Sequence, residues 1–592
     1  MSTTRLKIVG AGGARRIHLD KLKFPPNLEA QNVDQPVKTP VSATGLNAAS
    51  QALADTRDRW QWLRVSLAML VVAFAYCYRL DRPLLWIDEA QTGIAARNIL
   101  EFGHPTAFDG RNAALCDNGR TLDTNLLFKQ LPWFHYYVGA ASMALFGNDT
   151  TGARALFAVA GILAFFPLYA VLKSRLRHPA FVAALILLSP QTIMFQRNAR
   201  YYPILILLYA VVLWLLSRDF RSRKWHTLAA LLVFVLFFNT HSAAAMGCAF
   251  ALLLFCSLVR RQMLPVYLVA AGGGFLSWFV WYQLLAPALG DSGLYLPLIN
   301  LNPWHWLEGF FIATAAGLLD LDAVNLLPVF LWGGLLAILP WNRRATCVLK
   351  DPVAQFILLT LLVQAAANAA VFGCETMNSH SLLRYICYAA AFAMVPCFML
   401  LDAIIRNRFL FAAVSMLVVS FNLLTVSFWA SPFPRKVPVS WLAPVYSEIL
   451  NPPENSWDVA VARLRSEPAS ASHDDAVLAV SPGWCQEGAI FYLGSRYLVP
   501  PDFNEMGRER TQVFRRIIGE QAFGLLCQKP EWILDFLDDF KAAPGGYVTA
   551  TVIPSHRARP DDGTRPELTR HTFPRPGVVR NVRLFHLQTK PQ

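Results

Sequence analysis

The sequence predicts an all-α polytopic membrane protein of about eleven transmembrane helices, with a small C-terminal α/β domain outside the bilayer. Three observations predict it. Of the 592 residues, 55% are hydrophobic and only 16% are charged, with a mean hydropathy of +0.36. A soluble chain carries about 25% charged residues, so several globular surfaces could not be solvated from this composition. The apolar residues also gather into blocks of roughly 17–22, the length that crosses a bilayer as a helix. Finally, the net charge of +14 is concentrated in short basic clusters at the ends of those blocks.

Residues 1–60 are polar, rich in proline and mixed charge, and read as a disordered cytoplasmic tail without the short apolar core of a cleaved secretory signal. The first span, about 61–79, then acts as an uncleaved signal anchor and opens a transmembrane domain over 61–429. Apolar blocks follow near 132–146, 153–172, 180–196, 203–217, 226–240, 243–259, 264–286, 326–341, 353–373, 382–404 and 409–428. If every block crossed, Lys173–Arg177 and Arg218–Lys224 would fall outside, against the rule that basic loops stay cytoplasmic. The short, aromatic block 132–146 is the one that reads as a helix lying in the interface. Without it, those two clusters and Arg260-Arg261, Arg343-Arg344 and Arg406–Arg408 all lie inside. The outer face then carries a first loop at 80–152, the turn Arg197–Tyr202, a loop near 287–325 and everything after about 429.

Residues 430–592 change character. A proline-rich linker leads into β-like runs at Ala476–Val480, Tyr497–Val499, Tyr547–Ile553 and Val578–His586, with a helical pattern at 508–524, an alternation that suggests a small α/β domain on the outer face. Cys485 and Cys527 lie in it; an oxidising compartment permits a disulfide, and two unpaired thiols are an equal reading.

Membrane topology accounts for the basic charge, and no basic cluster is interleaved with stacking aromatics, so nucleic acid is excluded as a partner. There is no GxxxxGK[ST], HExxH, GxSxG or CxxC, so neither a nucleotide loop nor a metal set is indicated, and no cofactor is expected. An enzyme of this kind takes an activated substrate already dissolved in the lipid. No internal repeat is evident, which argues against a secondary transporter, although a flippase for a lipid-linked sugar is the alternative.

Candidate chemistry sits on the outer face. Asp88 and Glu89 follow an apolar Trp86 stretch directly after the first span, where partial desolvation raises carboxylate basicity. A helix cap, with Asp88 as N-cap, explains the same pattern. Lys129 precedes the interfacial helix, placed either to meet a lipid phosphate or simply to snorkel. Arg197 and Arg200 stand three apart at an outer boundary, where anion binding, pairing with Asp88 or Glu89, or headgroup contact each gives a reason. His241 and the run His380-Ser-Leu-Leu-Arg384-Tyr385 put further polar groups at outer ends of spans, where such residues usually face the bundle interior.

The order of these features resembles the GT-C glycosyltransferases that use polyprenyl-phosphate sugars, among them the protein O-mannosyltransferases and the lipid A aminoarabinose transferases. The resemblance covers about 60–430 and is strongest at 84–203: an outward Asp-Glu, a Lys…Pro loop, a helix ending in Leu145-Phe-Gly147, then Asn148-Asp-Thr-Thr-Gly-Ala-Arg154. It implies a GT-C fold and inverting sugar transfer to an acceptor hydroxyl of a protein, lipid A or surface glycan. It makes Asp88 the catalytic acidic residue with Glu89 its neighbour, and Lys129, Arg197, Arg200 and Arg384 the holders of the donor phosphate. Tyr202, His241, His380 and Tyr385 become lining residues of the pocket. One branch has an aspartate where this chain has Tyr202, a departure that bears on an aminoarabinose-like acceptor. Metal independence is the expectation of the monophosphate branch. The location implied is a bacterial inner membrane with a periplasmic site, or the endoplasmic reticulum membrane in a eukaryote.

Overall fold

The computed structural model describes residues 43–114, 126–129, 131–218, 222–280, 343–372, 380–422 and 456–466, with shorter pieces between them and a set of strands and one helix between 477 and 586. It divides into two units, Met1–Gln61 and Trp62–Gln592. The first helix, α1 (Ala43–Cys77), begins in the first unit, and every later element belongs to the second. The expected block 326–341 and both Cys485 and Cys527 lie outside the described residues, whereas in the expected helix at 508–524 the described residues Gln512, Arg515, Arg516, Glu520 and Phe523 are helical.

By length and composition four helices can cross a membrane: Trp60–Cys77, Thr150–Leu172, Pro352–Ala370 and Ile386–Ile404, with shorter apolar helices at Tyr202–Ser217, Ser242–Leu258 and Arg408–Val419. α1 shows what their environment is. Leu63, Leu67, Leu70 and Phe74 recur along one face and each is more than half exposed, while Val65, Val72, Ala75 and Tyr76 are buried on the other. A helix meeting water carries polar residues on its outer face; this one carries leucines. Its outer face is built for lipid.

α2 (Ile87–Phe102) and α3 (Phe134–Phe146) belong to the first loop and pack on each other. At 13 residues, α3 is about 20 Å long, too short for a hydrocarbon core of about 30 Å. His135, Tyr136, Gly139 and Met143 are buried, whereas Tyr137, Leu145 and Phe146 are exposed. Gly139 allows the close approach, since a Cβ there would lie 3.2 Å from that of Ala96.

One expected span is kinked and another is divided. The block 153–172 becomes α4 (Thr150–Leu163) and α5 (Phe165–Leu172). Pro167 is the cause: its ring collides with the carbonyl four residues back, so the helix kinks at Leu163–Ala164 while Thr150–Leu172 stays long and apolar enough to cross as one span. The block 180–196 becomes α6 (Pro179–Leu187) and α7 (Pro190–Gln196), because Pro190 has no N–H with which to continue α6. Ser189 fills the junction, its hydroxyl donating to the Ile186 carbonyl at 2.8 Å. The last expected block, 409–428, also stops early. The helix Arg408–Ser420 gives way to Phe421-Asn422, which pairs antiparallel with Val439-Ser440, and to Thr425-Val426, which pairs with Val324-Asn325. Aromatic and β-branched residues suit a strand better than a helix there.

α8 (Tyr202–Ser217), α9 (Arg223–Thr240), α10 (Ser242–Leu258) and α11 (Leu264–Trp278) follow. Because α8 to α10 run back and forth, the turns at Ser217–Arg223 and Leu258–Leu264 share one end, and Tyr202 and His241 share the other. At the basic end the clusters are tied together: Arg260 donates to the Leu216 carbonyl at 3.0 Å and Arg175 pairs with Asp351 at 3.0 Å. There too Arg177 pairs with Asp402 at 2.9 Å and donates to the Arg406 carbonyl at 2.9 Å.

Beyond 456 the chain forms a five-stranded sheet in the spatial order Tyr497-Leu498, Val477–Ser481, Trp532–Asp535, Arg580–His586, Thr549–Ser555. The first three strands are parallel and the last two antiparallel to their neighbours. The helix Gln486–Leu493 docks on α2. Tyr492 locks the contact: its hydroxyl accepts from the Leu85 N–H at 2.7 Å and meets Thr150 Oγ1 at 2.8 Å. Arg82 adds an ion pair to Asp458 at 2.9 Å. Phe491 reaches α2 only because residue 93 is glycine; a Cβ there would come within 2.6 Å of the Phe491 ring. The helices Ser456–Ser466 and Gln486–Leu493 therefore lie against the same loop that carries Asp88, at the end of the bundle opposite the basic clusters.

Candidate functional site

The site is built where α2 begins. Trp86, in extended conformation at φ −81° and ψ 173°, is the N-cap of α2, so Asp88 is not the cap that its residue type suggested. Indole offers no acceptor to the first-turn amides. Glu89, in the third helical position, reaches back instead to the Trp86 N–H at 3.5 Å, supplying one half of a capping box. The Trp86 indole N–H donates to Asn198 Oδ1 at 2.6 Å, which ties the start of α2 to the turn between α7 and α8.

The two adjacent carboxylates then have different fates. Glu89 is fully buried and engaged by Arg154 through two parallel bonds, Nε to Oε1 at 2.8 Å and Nη2 to Oε2 at 2.5 Å. The Ala199 N–H adds a third strong bond at 2.7 Å. Arg154 is itself buried and spends its remaining donor on the carbonyls of Leu80 and Pro83, at 3.1 and 2.7 Å. Glu89, expected beside Asp88 as a reacting group, is thus a saturated interior carboxylate. It joins α2, α4, the end of α1 and the turn between α7 and α8.

Asp88 stays accessible, with 23% of its side chain exposed, and faces the buried guanidinium of Arg200 at 3.5 Å. Arg200 also donates to Gln91 Oε1 at 3.1 Å and Thr92 Oγ1 at 3.2 Å, while Thr92 donates to the Asp88 carbonyl at 3.0 Å. Burial opposes the charge on Arg200, but the negative charge of Asp88 together with the neighbouring Tyr136, Tyr202 and Tyr201 outweighs it and raises its pKa above the ordinary arginine value. The guanidinium lies 5.7 Å over the ring of Tyr201, a cation–π contact. Tyr201 in turn packs against Tyr202 and His241, with ring centroids at 4.5 Å in both cases. His241 caps α10, its Nδ1 accepting from the Ala244 N–H at 3.2 Å, which leaves the ring proton on Nε2.

Of the other sequence candidates, Arg197 does not join this group. Its guanidinium donates to the carbonyls of Ala75, Tyr76 and Arg79 at 2.7, 3.2 and 3.1 Å, capping the C-terminus of α1. Burial lowers its pKa to about 10, which still leaves it charged at neutral pH. Lys129 lies half-buried just after Phe128, whose carbonyl takes the Trp133 indole N–H at 2.6 Å. The helix His380–Ile404 carries His380, Arg384 and Tyr385, and the side chains of all three lie outside the described residues.

One functional candidate was not apparent from the sequence. His135, fully buried in the first turn of α3, meets the Tyr201 ring edge-on at 5.9 Å. Its Nδ1 lies 2.9 Å from the Pro132 carbonyl and must donate there, so Nε2 carries the lone pair. Burial, reinforced by the positive charge of Arg200, pushes its pKa well below the usual histidine value and keeps the ring neutral. A histidine three residues after a helix-opening proline was the signal, and an aromatic interfacial stripe obscured it. Among the described residues no group of three or more His, Cys, Asp or Glu is placed to hold a metal ion.

No protein-family model matches the chain, and no curated protein matches it. Among solved structures it is similar to the crystal structure of ArnT from Cupriavidus metallidurans bound to undecaprenyl phosphate, at 14% identity and a TM-score of 0.41, with 78% of each chain covered. It is also similar to the apo state of that protein, at 16% identity and a TM-score of 0.37, covering 81% of this chain and 93% of the other.

Proposed function

We propose that the chain is an integral membrane glycosyltransferase of the GT-C type that moves a sugar, with inversion, from a polyprenyl-phosphate donor to an acceptor hydroxyl at the outer membrane face. In this reading about eleven helices cross the bilayer. The site then faces the periplasm of a bacterial inner membrane, or the lumen of the endoplasmic reticulum in a eukaryote. The observation that carries the reading is the partly exposed Asp88 carboxylate, fixed between a buried Glu89–Arg154 pair and the Arg200 guanidinium. A carboxylate of that kind suits a general base better than a structural pair.

The chemistry follows from the arrangement. Asp88 accepts the proton of the acceptor hydroxyl as its oxygen forms the new bond to the anomeric carbon. The bond between that carbon and the phosphate oxygen breaks on the opposite side, and the electron pair leaves with the lipid phosphate. Fixed cations stabilise the leaving dianion. Arg200, Lys129 and Arg384 are assigned that role. Arg197, committed to the end of α1, is reassigned to structure. Glu89 is a positioning residue, and Tyr202, His241, His380 and Tyr385 remain proposed walls of the pocket.

The test is transfer by purified protein in liposomes given a labelled polyprenyl-phosphate sugar and an acceptor. Asp88→Asn should fold, bind donor and lose about 10²- to 10⁴-fold in rate, the contribution of a positioned base. Normal turnover by Asp88→Asn removes the base assignment, and intact lipid changing leaflet without loss of sugar points to a flippase instead.

A further inference from the structure

Around Arg200 and Tyr201, the buried polar atoms with no hydrogen-bond partner among the described residues include Gln91 Nε2, His135 Nε2 and Arg200 Nε. All belong to side chains of the site already drawn. Arg200 Nη1 holds the Gln91 carbonyl oxygen at 3.1 Å, which leaves the amide N–H groups turned from that bond. His135 is anchored by Pro132 with its lone pair on Nε2, and both His135 and Arg200 contact the ring of Tyr201. Native interiors rarely leave buried polar groups unpaired, and three gathered in one site ask for a ligand.

Their chemistry states which ligand. Of these three atoms His135 Nε2 is the acceptor, and Gln91 and Arg200 supply N–H donors; the Asp88 carboxylate lies 3.5 Å from Arg200 beside them. A sugar hydroxyl can donate and accept at once. An ammonium donates only, so it would satisfy His135 and leave the amide and guanidinium donors unmet.

We propose that Gln91, His135 and Arg200 form the sugar-reading end of the donor site, selecting a neutral sugar by its ring hydroxyls: one donates to His135 Nε2, and neighbouring oxygens accept from Gln91 Nε2 and Arg200 Nε. The inference rests on the glycosyltransferase reading and names the sugar class within it, a hydroxylated sugar without a free amine.

The probes are polyprenyl-phosphate hexoses, their monodeoxy analogues, an amino-sugar analogue and sugar-free polyprenyl phosphate, measured by competition binding and transfer with the full chain. The parent protein should prefer a fully hydroxylated donor over one of its monodeoxy analogues and over the amino sugar by about tenfold or more. His135→Phe keeps the aromatic packing and removes the acceptor. It should reduce that preference toward unity while leaving affinity for sugar-free polyprenyl phosphate unchanged. His135→Gln, whose side-chain oxygen reaches the Nε2 position, should restore part of the preference. If His135→Phe does not fold, Gln91→Met supplies the same comparison from the donor side. Undiminished discrimination in these variants, or an equal loss of affinity for the sugar-free lipid, overturns the sugar-reading role alone. A parent protein that binds no lipid-linked sugar overturns the glycosyltransferase reading and this inference together.

Discussion

Arg154→Met tests the interior of the site more sharply than any change at its surface. The substitution keeps the length of the side chain and removes its charge. It leaves the Glu89 carboxylate, fully buried, with only the Ala199 N–H at 2.7 Å and the long Trp86 contact at 3.5 Å. It also strips the carbonyls of Leu80 and Pro83 of their donor. Breaking one partner of a buried ion pair costs about 3–5 kcal/mol. At about 2–4 °C per kcal/mol for a cooperative unit of 150–250 residues, the melting temperature should fall by roughly 6–20 °C. Replacing both partners, in Arg154→Met with Glu89→Leu, removes the stranded charge, and such replacements are often close to neutral. The double variant should therefore melt above Arg154→Met. The measurement is thermal unfolding in one fixed detergent, with donor binding followed in parallel. If Arg154→Met melts like the parent, or the double variant melts lower than the single, the carboxylate is not held as described. The claim that Glu89 positions rather than reacts would then fail with it.

Three further outcomes follow from the geometry. Gly152→Ala should destabilise by about 1–3 kcal/mol or more in the same melting assay, as overpacking does, because its Cβ would lie 1.7 Å from the Gly147 carbonyl oxygen and backbone must move. Arg197→Gln should lower the melting temperature without weakening donor binding, whereas Lys129→Ala and Arg384→Ala should each weaken it by about 1–3 kcal/mol, the scale of a charge-assisted hydrogen bond; equal binding losses in all three would return Arg197 to the phosphate. A topology reporter fused after residue 440 should read the same side as one inserted in the first loop, and opposite sides would contradict the docking of Tyr492 on Leu85 and Thr150.

Much of this architecture was legible in the sequence because bilayer thickness imposes a period that composition cannot hide. The blocks 203–217, 226–240, 243–259, 353–373 and 382–404 coincide with helices to within three residues at each end. Where hydropathy misled, a local backbone rule overrode it. Pro190 divides an apolar run that an average over the block treats as uniform, and the strand Trp532–Asp535 is too short to show alternation. Within the site, the oddity of Arg197 and Arg200 was visible, since two arginines at an outer boundary oppose the charge rule. Their partners were not. Arg200 found Asp88, one of the pairings considered, but Arg197 found three carbonyls, and carbonyls leave no mark in a sequence. The cap of α2 was misread for a related reason. Residue type favours Asp88, yet the entry angle of the chain sets the cap, and the Trp86–Asn198 bond fixes that angle from outside the helix.

The division of labour between Asp88 and Glu89 follows from helix geometry. Successive residues of a helix point about 100° apart, so two adjacent carboxylates cannot share one environment. Once Glu89 turns inward to meet Arg154 and the Ala199 amide, Asp88 must face the opening toward Arg200. The Ala199 N–H that binds Glu89 belongs to the residue next to Arg200, so one buried carboxylate fixes both Asp88, the proposed base, and its cationic neighbour. Because Glu89 grips Ala199 from the rigid start of α2, the 3.5 Å spacing between Asp88 and Arg200 does not depend on the two side-chain ends finding each other. An acid-base residue needs its position held independently of its own charge, since that charge changes during turnover. In this fold the neighbouring glutamate supplies that support, at a site where losing its partner would be felt first as instability and only then as lost chemistry.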